Sequence, residues 1–348
     1  MAAKQYEEIF RDLKNKIYSP VYLLHGEEPY YIDRISDFIE TKVLDEMEKE
    51  FNQTIVYGRD VEPLSLISMA KRYPMMSNYQ ILIVKEAQDM AYWKKKKDKE
   101  DDKSDSDPLM NYFLNPLSST LLVLCFKYKT FDKRTKLYKA IEKHASVYES
   151  KKIYDNKIPD WINHYIIDKG YKIKPKATQL MAESLGSDLS RIANECDKLF
   201  INIKPGQEID TTHIEQNIGI SKEFNSFELN AALAAKNVAK ANRIINYFKA
   251  NPKTNPMILV MGTLYSFFSK ILLLHSLPDQ SQNAAASALG LSPYVITDYM
   301  TGAKNYSPQK VAAVISLLHE YDIKSKGVNN LSADEGELLK ELIFKIVH

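Results

Sequence analysis

PVYLLHGEEPYYIDR, residues 20–34, decides the fold. Val21 to Leu24 is a short unbroken apolar run, His25-Gly26 closes it, and Glu27-Glu28-Pro29 leads into YYIDRISDFIETKVLDEM, which repeats apolar residues at helical spacing. Pro is tolerated in a first helical turn, so the stretch predicts strand, turn and helix. The unit then recurs. Asn52 to Val56 (NQTIV) reads as a strand, Tyr57-Gly58-Arg59-Asp60 as a turn, PLSLISMAKRY as a helix, and QILIVKEA and TLLVLCFKY as further buried strands. Continuous apolar runs without alternation belong to strands covered on both faces, so a parallel sheet with helices on each side is expected. A basic helix and ASVYES complete this layer.

Strand signals all but stop after Lys151. In IPDWINHYIIDKG, Trp161, Ile162, Tyr165 and Ile166 share a stripe that Gly170 ends, and SDLSRIANECDKLF repeats apolar residues at 189, 192, 193, 196 and 199. Thr212-x-x-Glu215 reads as a capping box that opens a further helix. From GISKEFN (219–225) to His348 every pattern is helical. NPMILVMGTLYSFFSKILLLHSL has only sixteen charge-free residues between Lys253 and Lys270, so a core helix is preferred to a membrane span of about 20 apolar residues. Eleven glycines in 348 residues, well under the usual ~7%, disfavour a turn-dense all-β fold.

Composition narrows the function. Lys plus Arg number 47 against 45 Asp plus Glu, so the surface as a whole is no polyanion-binding field and any contact with DNA needs a local patch. One such patch is Lys127 to Lys143, with seven basic and two acidic residues. Leu137, Ala140 and Ile141 are expected to face inward and Lys133, Lys136, Lys139 and Lys143 outward, beside Arg134. A solvated helix face and sequence-independent phosphate contact both fit this pattern. Residues 94–107 (KKKKDKEDDKSDSD) contain only Lys, Asp, Glu and Ser in neutral balance, which predicts a disordered insertion. Cys125 and Cys196 each lie in an apolar pattern far from any second thiol, so both are expected buried and reduced. The first sixteen residues lack a secretory apolar core, and a cytoplasmic protein is expected. The seven histidines form no HxxxH or HExxH pair and no GxSxG occurs; the sequence suggests no metal, catalytic residue or cofactor.

A strand-Gly-helix junction is also where a P-loop holds phosphate. Laid on G-x-x-x-x-G-K-[ST] from Gly26, the chain places Tyr31 at the second Gly, Ile32 at the Lys and Asp33 at the Ser/Thr. The cation and the Mg2+-binding hydroxyl are missing, and Glu27, Glu28 and Asp33 add like charge. In ILIVKEA, Lys85 takes the expected acidic position before Glu86. The sequence therefore reads as a degenerate nucleotide-binding fold.

The whole chain resembles the delta subunit of the bacterial DNA polymerase III clamp loader, a branch of the AAA+ lineage that lost nucleotide binding. The resemblance is carried by residues 20–34 and by AKRYPMMSNYQILIVKEAQ, DKRTKLYKAIEKH, GSDLSRIANECDKL, FNSFELNAALAAKNVAKA, ALGLSPYVITDYMTGAKNYS and EYDIKSKG, in order from about 25 to 330. It implies an AAA+-like α/β domain at 1–152, a small helical lid domain at 153–221 and a helical collar at 222–348. It also implies a non-catalytic role in DNA replication, with polymerase (nucleotidyltransferase) activity in another subunit. The implied partners are the sliding clamp (beta subunit), gamma/tau and delta-prime type loader subunits in a hetero-pentamer, and primer-template DNA, with no membrane. Family members press a hydrophobic wedge into the clamp, and its triplet falls on Pro74, Met75 and Met76 at the end of the helix before QILIV. Two Met side chains make an adaptable plug for an apolar pocket. On the residues alone, Met75 and Met76 read first as capping the domain's own core, and the resemblance reverses that preference. The rival classes are an active AAA+ ATPase and a stand-alone DNA-binding protein that uses a basic helix at 133–143.

Overall fold

In the computed structural model, described over residues 4–95, 108–221, 223–291, 295–330 and 332–348, the apolar runs form the strands expected of them. The chain makes two units, Met1–Ile153 and Tyr154–His348.

The first unit contains α1 (Tyr6–Lys14), β1 (Val21–Gly26), α2 (Pro29–Lys42), α3 (Glu46–Asn52), β2 (Gln53–Tyr57), α4 (Pro63–Ala70), β3 (Gln80–Lys85), α5 (Ala91–Lys95), α6 (Pro108–Leu114), β4 (Thr120–Lys127), α7 (Lys136–His144) and β5 (Ala145–Ser150). The strands form one sheet in the order β2-β3-β4-β1-β5, and every pair is parallel. Alternate side chains of a strand point to opposite faces. Tyr22, Leu24, Ile81, Ile83, Leu121, Val123 and Cys125 therefore pack with α1 and α2. Val21, Leu23, Leu82, Val84, Leu122 and Leu124 pack with α4, α6 and α7 on the other side. Both faces are covered, which is why these strands carry no polar alternation.

Around α3, two boundaries differ from the sequence reading. The long helix after Pro29 breaks at Val43, and Asp45 starts α3 with a capping box in which Asp45 accepts the Glu48 N–H at 2.8 Å and Glu48 accepts the Asp45 N–H at 3.0 Å. Asn52 ends that helix instead of opening β2. The insertion expected at 94–107 lies outside the described residues from 96 onward, while Lys94 and Lys95 close α5.

The second unit is almost wholly helical. It runs through α8 (Ile158–Asp168), β6 (Lys172–Ile173), α9 (Pro175–Leu185), α10 (Leu189–Asn202), β7 (Glu208–Ile209), α11 (Thr211–Ile218), α12 (Ser226–Ala234), α13 (Val238–Ala250), α14 (Met257–Ser276), α15 (Gln282–Leu289), α16 (Ile296–Asn305), α17 (Pro308–Ser325) and α18 (Glu335–Val347). The stripe Leu189, Ile192, Ala193, Cys196 and Leu199 is buried as its spacing requires. The cap of α11 is Asp210, which accepts the Thr212 and His213 N–H groups; Thr212 lies inside the helix, so the expected Thr212 box is replaced by one formed two residues earlier. By length and composition α14 is the one described helix apolar enough to cross a membrane. Here it buries Val260, Leu264, Phe267, Phe268 and Ile271 in the core that α12, α13, α16, α17 and α18 share. Ile258, Leu259, Tyr265 and Leu273 stay exposed on it.

Cys125 and Cys196 are both buried free thiols, and burial pushes their pKa values up to about 11 and about 12.

Candidate functional site

Three places in the first unit correspond to the chemistry anticipated from sequence. The first is the turn after β1, at the carboxyl end of the sheet, where open parallel sheets bind ligands. Only Glu27 and Glu28 separate β1 from α2. Backbone donors that would face a phosphate are already used. Gly26 N–H donates to Lys129 O at 3.0 Å and Glu27 N–H to Ser150 O at 2.9 Å. Glu28, the N-cap of α2, accepts the Tyr30 N–H at 3.0 Å. Gly26 has φ +141, and a Cβ there would lie 2.0 Å from Ser150 O, so the end of β5 fills the space beside the turn.

Tyr31, Ile32 and Asp33 fall within α2, and Ile32, at the P-loop lysine position, is 0% exposed in the core beneath the sheet. Asp33 pairs with Lys127 of β4 at 2.5 Å, and Lys85 of β3 pairs with Glu40 of α2 at 3.0 Å. Burial works against the Lys85 charge, but the Glu40 carboxylate raises its pKa, so this cation is held by the protein's own acid. Asp37 between them is pushed above the usual carboxylate range by burial and by Asp33. His25, fully buried one residue before Gly26, accepts the Phe131 N–H through Nδ1 at 3.2 Å. Burial lowers its pKa to about 4 and keeps the ring neutral.

The second place is the loop between α4 and β3. The helix stops at Ala70, four residues before Pro74, whose ring has no N–H to donate to the Ala70 carbonyl and would clash with it in a continued helix. Its last carbonyls find side-chain donors. Thr120 Oγ1 donates to Ala70 O at 2.9 Å, and Gln80 Nε2 lies 3.3 Å from Met69 O and 2.7 Å from Thr120 Oγ1. Pro74, Met75 and Met76 thus sit in a loop rather than on the helix end expected from sequence. Met75 is 62% exposed and Met76 102%, with Tyr73 also exposed beside them. The alternative that these methionines cap the domain's own core does not hold.

The loop backbone is fixed by Asn52 of α3, a residue that sequence reasoning assigned to a strand. Its Oδ1 accepts the Met75 N–H at 2.6 Å, and its Nδ2 donates to Met75 O at 2.9 Å and to Glu48 O at 3.0 Å. Met76 has φ +53, a left-handed backbone that costs roughly 1–2 kcal/mol for a non-glycine residue. Each hydrogen bond is worth about 0.5–1.5 kcal/mol net, so the two to Met75 are of the size needed to offset that cost. Nothing local in the sequence marks Asn52, since its partner is 23 residues away.

The basic segment divides at Thr135, whose hydroxyl caps α7. Lys133 and Arg134 lie in the preceding turn, not on the helix, and are engaged by Glu149 at 2.6 Å and by Asp132 at 3.1 Å. Lys136, Lys139 and Lys143 are exposed on one helical stripe opposite the buried Leu137, Ala140 and Ile141. Among the described residues no group of three or more His, Cys, Asp or Glu is placed to hold a metal ion.

The sequence family described as DNA polymerase III, delta subunit, matches residues 22–151, and that described as DNA polymerase III delta subunit, C-terminal domain, matches residues 223–344. The chain belongs to the DNA polymerase III delta subunit family. As a delta-family chain it is 27% identical over 323 residues to DNA polymerase III subunit delta of Bacillus subtilis (strain 168), covering 92% of this chain and 91% of the relative. The solved DNA clamp loader delta protein of Bacillus subtilis superposes with a TM-score of 0.57 over 99% of both chains at 23% identity, and shares the fold. The expected architecture, a parallel-sheet unit with helices on both faces followed by a helical remainder, is the one observed.

Proposed function

We propose that this delta subunit is a non-catalytic clamp-loader component that binds the sliding clamp and helps open it through Pro74, Met75 and Met76. One observation carries the reading: two adjacent methionines stand clear of their own core on a loop whose backbone is pinned from behind. Exposed apolar side chains on a backbone held in one conformation suit insertion into an apolar pocket, since less ordering entropy remains to be lost on binding. Burying a Met side chain contributes about 1.5–3 kcal/mol. Met75→Ala plus Met76→Ala should therefore weaken binding to the organism's clamp by about 100-fold in calorimetry without nucleotide, with an unchanged circular dichroism spectrum. Equal binding by the folded double variant sinks the wedge.

In this proposal the chain contributes no ATP chemistry, a reading supported by the occupied N–H groups after β1 and by the core position of Ile32. Gamma/tau and delta-prime type partners would complete a hetero-pentamer whose ATP-binding neighbours control the wedge, and the complex would be cytoplasmic. The second unit would divide into a lid at 153–221 and a collar at 222–348, and the exposed apolar residues of α14 would face neighbouring subunits.

A DNA contact is favoured by the stripe of Lys136, Lys139 and Lys143, with Lys133 and Arg134 available only by giving up exposed ion pairs of small worth. Changing the three lysines to Gln should leave clamp binding intact. It should reduce the salt dependence of primer-template binding by the assembled loader, the logarithmic slope falling by about 2–3 for three lost phosphate contacts. An unchanged slope assigns the stripe to solvation alone.

A further inference from the structure

We infer that Asn52 is a positioning residue for clamp binding: it touches no partner itself but holds the Met75–Met76 loop in its binding-competent shape. The inference rests on the clamp reading of Pro74, Met75 and Met76. Asn52 is 4% exposed, and its amide is fully committed, to Met75 N–H and O on the loop and to Glu48 O on its own helix. A side-chain amide can serve both the N–H and the C=O of one residue; a carboxylate lacks the donor and a lysine the acceptor. The next residue, Met76, stands in the left-handed region, which a non-glycine residue keeps only where its surroundings over-determine it. On the other flank, Gln80 and Thr120 hold the carbonyls at the end of α4. Between these anchors and β3, Asn52 supplies the side-chain hold at the wedge itself. Without it, Met75 and Met76 would sample other loop conformers, and clamp binding would have to order them first.

The test uses the full chain. Asn52→Leu removes both bonds to Met75 while keeping the same branched heavy-atom skeleton, and Asn52→Asp keeps an acceptor for the N–H but loses the donor, so it serves if the Leu variant does not fold. Clamp affinity is measured by calorimetry for the native chain, for either Asn52 variant, for Met76→Ala and for the combination, with amide exchange at Met75 followed in the free protein. The expected result is a loss of about tenfold for the Asn52 variant, faster exchange at Met75, and a much smaller loss when Met76 is already Ala. A variant that binds like the native chain, or whose loss is the same in the Met76→Ala background, overturns the positioning role alone. A native chain that does not bind the clamp overturns the wedge reading and this inference with it.

Discussion

Ile32→Lys, the change that would restore the P-loop cation, should strongly destabilise the first unit instead of creating a nucleotide site. Ile32 is 0% exposed and packs in the layer with Ile9, Leu13, Tyr22, Leu24, Ile35 and Ile39. A Lys there must either carry an unpaired charge into that layer or give up its proton. A shift of 3–5 pKa units for a fully buried Lys corresponds to about 4–7 kcal/mol. A domain holds only about 5–15 kcal/mol in total, so the change removes a large share of its stability, and all of it where the total lies near the low end. Ile32→Met, which keeps volume and polarity, should cost less than about 1.5 kcal/mol. Urea denaturation followed by circular dichroism separates the two variants. A folded Ile32→Lys chain that binds ATP would show that the core position is only loosely packed and would revive the ATPase reading.

Gly26→Ala should be nearly as damaging, for a backbone reason. At φ +141 an L side chain is strained anywhere, and here the new Cβ would lie 2.0 Å from Ser150 O and 2.7 Å from Ser150 N. These are backbone atoms of the adjacent strand and cannot rotate away. Relief requires β5 to retreat from β1, which breaks the bond from Glu27 N–H to Ser150 O. Strain of about 1–3 kcal/mol and the lost ladder contacts add to a penalty of about 4 kcal/mol or more. Gly219→Ala makes the contrast. Its φ is +78 with nothing within 4 Å, so only the left-handed cost of roughly 1–2 kcal/mol applies. Comparable denaturation midpoint shifts for the two variants would mean that the β1–β5 junction yields more easily than its geometry indicates.

The legible part of this molecule was whatever local pattern controls. Unbroken apolar runs declared strands covered on both faces, and the stripe from Leu189 to Leu199 declared its buried side. The lack of a P-loop Lys was readable, but not that Ile32 sits in the core or that Lys85 and Lys127 answer the acids of α2, because those pairings join separate elements. The break before α3 was signalled by Asp45-x-x-Glu48 yet masked by apolar residues continuing at helical spacing on both sides. Thr212 looked like a cap because Asp210, which performs that role, is as plausible a turn residue. At the wedge, composition could not choose between a core cap and an exposed pair, since Met suits either. The choice came from Pro74 ending α4 early and from Asn52, whose hold on Met75 spans 23 residues.

The chain's two cysteines have a practical corollary. With Cys125 and Cys196 buried and their thiols kept protonated at neutral pH, the folded protein presents no ready nucleophile to maleimide or iodoacetamide reagents. It is thus a chemically quiet background. A single Met76→Cys substitution would carry the one accessible thiol, on the most exposed of the large apolar side chains among the described residues, and a fluorophore attached there would report occupancy of the loop without removal of either native cysteine.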